Sequence, residues 1–230
     1  MMGVMSPRPR QASDEDLLQA AFRAVARRGP ARLTLAEVAA EAGVSAAAVA
    51  QRFGSKRALL LAMAGDVATG DRYIFPALRA RHGSFVASLL GLADCMAPLF
   101  GGTPDGATNT LAFLQTDLGD PDFHRHALAA SEGMRAGIRA LVRDGIGAGE
   151  LGPCDAGRLA SALHATLNGS LLAWAVHRKG GLAAWLRRDL GTVLERYRAG
   201  GDPAAPSARP RGSAPPPRPR RSPGRRPTRP

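Results

Sequence analysis

Hydrogen-bonding and cationic side chains occur at useful spacings in one stretch, Thr34 to Lys56. Gln51 carries an amide that can pair bidentately with N6 and N7 of adenine, and the guanidinium of Arg52 suits phosphate. Thr34 and Lys56 stand at the starts of two helical patterns, where a capping hydroxyl, backbone N–H groups and an ammonium can hold phosphate oxygens. A looser set lies downstream. Gln115, His164 and Asn168 interrupt apolar segments that also carry Met96 and Met134, a composition that suits a small-molecule cavity with a few orienting polar groups. Other groupings offer less. His124 and His126 diverge on a helix and lack a third ligand, so they read as a surface pair. Gly145, Gly147 and Gly149 follow no strand and make a poor nucleotide loop. Cys95 lies beside an apolar stripe and Cys154 follows Pro153, so both read as packing or loop thiols. No catalytic triad, carboxylate pair or metal spacing stands out. An enzyme is therefore not expected, and no cofactor or metal is called for.

The elements that position these residues are helical from Ser13 to Arg198, with apolar residues recurring at three and four. Ser13 with Asp16 forms a capping box before a face of Leu18, Phe22 and Val25, and Gly29 supplies a stop. Thr34 with Glu37 repeats the box for a short helix that ends at Gly43, where glycine takes a left-handed turn without steric cost. Ser45 caps a third helix and Ser55 a fourth. This spacing is that of a helix-turn-helix, whose second helix enters the major groove. With Val49 and Phe53 turned to the core at 100° per residue, Ala47 and Gln51 point away, Ala48 and Ala50 flank them, and Ala46 and Arg52 lie at the margins.

Downstream, Pro76 is expected to end or kink the fourth helix near Phe75. Phe85 to Leu99 and Ala107 to Leu118 read as core helices, and Pro121 opens a long one running to about Gly149. The last two form a helical hairpin, one striped by Leu159, Leu163, Leu167, Leu171 and Trp174, the other by Leu182, Leu186, Leu190 and Leu194. These stripes are large enough for a partner surface, unless the chain's own core absorbs them.

Charge is distributed unevenly. Of the formal net charge of +12 over 230 residues, 199–230 holds +7, with eight Arg and ten of the 18 prolines. That segment reads as a disordered basic tail, and 1–12 as a disordered arm carrying +2. Residues 13–60 hold +2, and 61–198 only +1. The excess at the N-terminal end suggests contact with a polyanion there, while the remainder does something uncharged. No stretch approaches about 20 uninterrupted apolar residues, no secretory signal opens the chain, and two cysteines make no disulfide framework. A soluble, cytoplasmic protein with no membrane partner is expected.

Leu33-Thr34-Leu35-Ala36-Glu37-Val38-Ala39, then Ala42-Gly43-Val44-Ser45, then Arg52-Phe53-Gly54-Ser55-Lys56-Arg57-Ala58-Leu59-Leu60 resemble the tetracycline-repressor (TetR) family of regulators. The resemblance is close over Ser13 to about Ala62, and the later helices agree in number and order. It implies an all-α protein with a helix-turn-helix domain over 13–60 and an effector-binding and dimerisation domain over 61–198. The DNA-binding set would be Thr34, Ser45, Ala46, Ala47, Ala48, Ala50, Gln51, Arg52 and Lys56. A homodimer would meet a palindromic double-stranded operator and be released by a small-molecule effector. Its interface would lie on the last two helices, at Leu163, Leu167, Leu171, Trp174, Leu186, Leu190 and Leu194. The sequence departs from the family where Ala50 replaces a usual tyrosine and Ala46, Ala47 and Ala48 replace larger or polar residues. Base reading then rests on Gln51, alanine–thymine methyl contacts and DNA shape. The rival expectation is a helical ligand-binding protein or enzyme whose tail gives only non-specific attraction to nucleic acid. A third is an architectural DNA binder, favoured where side chains fill the cavity.

Overall fold

A computed structural model describes residues 12–200, apart from the side chains of residues 114–118. The expected arm and basic tail lie almost wholly outside the described residues, as does the Gln115 side chain. Ten helices follow one another: α1 Asp14–Arg28, α2 Leu35–Ala42, α3 Ala46–Phe53, α4 Lys56–Thr69, α5 Asp71–Arg81, α6 Phe85–Leu99, α7 Pro104–Gly119, α8 Pro121–Gly147, α9 Ala156–His177 and α10 Leu182–Glu195. The all-helical expectation holds.

Local chemistry explains the helix boundaries in the N-terminal part. Ser13 and Thr34 form reciprocal capping boxes with Asp16 and Glu37, so donors at both helix starts are satisfied. Gly43, at φ 70° and ψ 31°, closes α2, and the Val44 N–H returns to the Ala39 carbonyl at 3.0 Å. This left-handed cap turns the chain into α3 within three residues. The Ser45 and Ser55 hydroxyls accept from the Ala48 and Ala58 N–H groups, each at 3.1 Å, and start α3 and α4.

Two apolar clusters result. The first joins Leu17, Val25, Leu33, Val38, Val49, Leu59 and Met63 with Phe113 of α7 and Phe123 of α8. The N-terminal helices, the head of the molecule, therefore take part of their core from beyond residue 60, and the expected boundary there falls inside α4. Across the seam, Arg57 in the first turn of α4 donates to Asp120 at 2.9 Å and Asp122 at 2.7 Å, at the start of α8. Its guanidinium carbon lies 5.6 Å from the Phe123 ring centroid. Those hydrogen bonds hold the Asp120 and Asp122 carboxyls below the usual carboxylate range.

The second cluster fills the body, and α5, α6, α8, α9 and α10 all contribute to it. Close approach is set by small residues. A Cβ on Gly137 would lie 2.0 Å from the Phe75 ring, so α5 rests directly on the backbone of α8. The fourth helix does not break at Phe75 as expected. It ends at Thr69, and Gly70 tightens the turn with an N–H bond to the Val67 carbonyl at 3.1 Å. Pro76 instead sits exposed within α5, where a helix can spare the one missing donor on its solvent side. Glu150 ties the α8–α9 turn to the start of α6 by accepting from the Ser84 hydroxyl at 2.6 Å and the Val86 N–H at 2.9 Å.

Candidate nucleic-acid interface

In α3 the buried side chain is Val49, fully shielded, with Phe53 half-buried below it. The opposite face presents Ala46, Ala47, Ala48 and Gln51 to solvent, with Ala50 half-buried at its edge. That arrangement follows from the 100° step, since only one eighth of a short helix needs to anchor it. This surface is thus low and apolar, with Gln51 as its one polar side chain among Ala46, Ala47 and Ala48. Thr34 is exposed at the start of α2, where its hydroxyl accepts from the Glu37 N–H at 3.2 Å.

The neighbouring cations are engaged. Arg52 bonds to Asp14 in the first turn of α1, both side chains exposed. The Lys56 ammonium donates to the Ala31 carbonyl at 2.7 Å, which leaves two of its three donors free for an oxyanion. Glu41 accepts from Arg23 at 2.7 Å and from Arg27, and these bonds lower its carboxyl pKa while fixing α2 against α1. Sequence reasoning missed Arg57 and the Arg52–Asp14 pair. The partners lie 38 to 65 residues apart, and no local pattern announces them.

The downstream residues are spread over α6, α8 and α9. Met96 in α6 and Met134 in α8 are half-buried against the main core. His164 is half-buried on α9, and the exposed Asn168 amide stands 3.4 Å from its Nε2 one turn on. Burial first, then the charge of Arg135, pushes the His164 pKa down. A groove of about 200 Å³ between α8 and α9 is lined by Glu132, Arg135, Ala136, Arg139, Gly157 and Ala160, one turn before His164. Met96, Met134, His164 and Asn168 are not among the residues that line this groove.

The leucine stripes lie inside the subunit, one of the two outcomes that the sequence leaves open. Leu163, Leu167, Leu171, Trp174, Leu186, Leu190 and Leu194 are all buried within this one chain, none more than 4% exposed. They belong to the subunit's own core, because α9 and α10 turn their widest apolar faces toward each other and toward α6 and α8. Ser170 donates to Asp189 at 2.6 Å inside this hairpin. The outer face of α9 carries Ala162, Ala165, Gly169, Leu172 and Val176, spaced by three and four, with Leu172 57% and Val176 71% exposed. On α10 the outward residues include Ala184, Arg188 and Thr192. By length and composition α9 would also pass for a membrane span, at a mean hydropathy of 1.2. It is packed against α8 and α10, as a core helix is.

Comparison with known proteins bears on this arrangement. Residues 17–63 match bacterial regulatory proteins of the tetR family, and residues 87–205 match the C-terminal part of BetI-type transcriptional repressors. No curated protein matches the chain in sequence. Among solved structures, the reduced form of NemR from E. coli is 19% identical, with TM-score 0.64 over 81% of this chain and 97% of that one. A transcriptional regulator from Saccharomonospora viridis, in complex with choline, is 22% identical, with TM-score 0.61 over 79% and 95%. FadR from Bacillus subtilis, in complex with stearoyl-CoA, is 15% identical, with TM-score 0.59 over 79% and 98%. With the capped helix-turn-helix at one end and the helical body behind it, the chain belongs to the TetR family of DNA-binding transcriptional regulators.

Proposed function

We propose that this regulator is a cytoplasmic, non-enzymatic repressor that binds a palindromic operator as a homodimer and is released by a small molecule. The observation that carries the reading is the exposed face of α3, which presents Gln51 with Ala46, Ala47 and Ala48, while Thr34 is exposed at the start of α2. Such a face can enter the major groove deeply while the flanking groups hold phosphates. The match to BetI-type repressors supports the sign of regulation.

The dimer surface is assigned to the outer face of α9 and the adjoining face of α10. Small residues there let two helical pairs approach closely, and Leu172 and Val176 supply exposed apolar area. Two heads then meet half-sites about one helical turn apart, or a multiple of that. A ligand that favours the misaligned spacing by about 1 to 3 kcal/mol lowers operator affinity appreciably. The relatives bound to choline and to stearoyl-CoA support a small-molecule effector, and they differ too much to suggest a shared chemical class.

Selection of bound sites from random duplex DNA tests the reading. One two-fold symmetric motif is expected. Recovery of no symmetric motif, with equal affinity for all sequences, would leave an architectural DNA binder. Screening metabolites for release of the selected operator then addresses the effector.

A further inference from the structure

A second convergence of cations shares Lys56 with the expected DNA-binding set. The loop between α1 and α2, the first turn of α4 and the middle of α7 enclose a cleft of about 520 Å³. Arg28, Arg32, Lys56 and Asn109 line it together with Gly29, Leu60 and Ala112, and no carboxylate among the described residues does so. Arg28 reaches Glu37 outside the cleft at 3.4 Å. Arg32 has no ion-pair partner among the described residues, and only its Nε is committed, to the Arg28 carbonyl at 3.3 Å. Three like charges around one concavity repel one another and focus a positive potential into it, which an anion relieves.

The cleft also spans the joint between head and body. Asn109 of α7 donates to the Ala26 carbonyl of α1 at 2.9 Å, and a Cβ on Gly29 would lie 3.0 Å from its Oδ1. An occupant would therefore touch the end of α1, the start of α4 and α7 at once. The volume falls within the range of small-molecule sites, and planar guanidinium groups favour phosphate.

We propose that this cleft binds phosphate groups through Arg28, Arg32 and Lys56, and that its occupancy fixes the reading head against α7. The phosphate can come from the DNA backbone flanking a half-site or from a phosphate-bearing small molecule.

Inorganic pyrophosphate titrated into the full chain at constant ionic strength, followed by calorimetry, is the first test. Arg32→Ala is expected to weaken binding at least about tenfold, and so is Ala112→Glu, which places a carboxylate in the cleft while keeping a good helix former. Arg143→Ala, at an exposed position of α8, is expected to leave it unchanged and so controls for the loss of one positive charge. The second test measures the salt dependence of duplex binding. If the DNA backbone fills the cleft, Arg32→Ala lowers the slope of log K against log salt by about one, and pyrophosphate competes with duplex. If a free ligand fills it, the slope is unchanged and pyrophosphate binds the protein–DNA complex as well. Pyrophosphate binding that is absent, or equal in wild type, Arg32→Ala and Ala112→Glu, together with an unchanged salt slope, overturns the proposal. The first test needs no operator, so failure of the repressor reading would leave its outcome intact.

Discussion

The reading helix α3 and the hairpin helix α9 use apolar residues in opposite ways. In α3 a single fully buried valine anchors eight residues, and the outward alanines are exposed. In α9 eight of 22 residues are buried, Leu159, Leu163, Leu167 and Leu171 among them, while Ala162, Ala165 and Gly169 face outward with Leu172. A row of large apolar side chains therefore marks the core of this subunit, and rows of small ones mark the surfaces free to meet something else. Hydrophobic burial is non-directional, so a leucine stripe reports that it will be covered and leaves open by what.

The contrast within α9 can be broken by one pair of variants. Leu163→Ala removes a fully buried side chain and is expected to cost about 2 to 5 kcal/mol, read from the urea midpoint and calorimetric Tm. Ala165→Arg, on the outer face two residues on, is expected to leave the circular-dichroism spectrum unchanged and convert dimer to monomer in sedimentation. If the first variant dissociates a folded dimer and the second leaves it intact, the two faces have been assigned the wrong way round.

The same contrast is sharpened at α3. Gln51→Ala is expected to cost about 1 to 3 kcal/mol at one base pair of the operator and nothing in stability, since the side chain is exposed. Competition binding with point-mutated operators checks it, and an equal loss on every sequence would make Gln51 a phosphate contact.

The smallest effect concerns His164. Burial lowers its folded pKa, so the folded state disfavours the charged form. Its contribution is complete above the unfolded value of about 6.5 and is lost as pH falls below that toward the folded value. The wild type is therefore expected to lose more stability between pH 7.5 and 5.5 than His164→Gln does, read from urea midpoints. Parallel profiles would show His164 to be solvated.

Much of the head is legible in the sequence because its signals are local. Ser13, Thr34, Gly43, Ser45 and Ser55 act within four residues of themselves, and each does in the structure what the pattern demands. Gln51 is found on the outer face by angular arithmetic alone. The body is legible only as a series of helices. Met96, Met134, His164 and Asn168 lie in helices at the expected positions, yet nothing in a linear pattern says whether they meet. Pro76 misled because a proline's effect depends on which side of the helix faces solvent.

The sequence by itself determined where the first three helices begin and end, which residues of α3 stand on its outer face, and which leucines had to be buried, since these depend on caps, turn glycines and a 3.6-residue period. The tertiary structure decided what the buried positions touch. It assigned the leucine stripes of α9 and α10, Leu172 excepted, to the subunit's own core, joined Arg57 to Asp120 and Asp122, and gathered Arg28, Arg32 and Lys56 around one cleft. Those pairings join residues far apart in the chain, and their geometry exists only once the helices have packed.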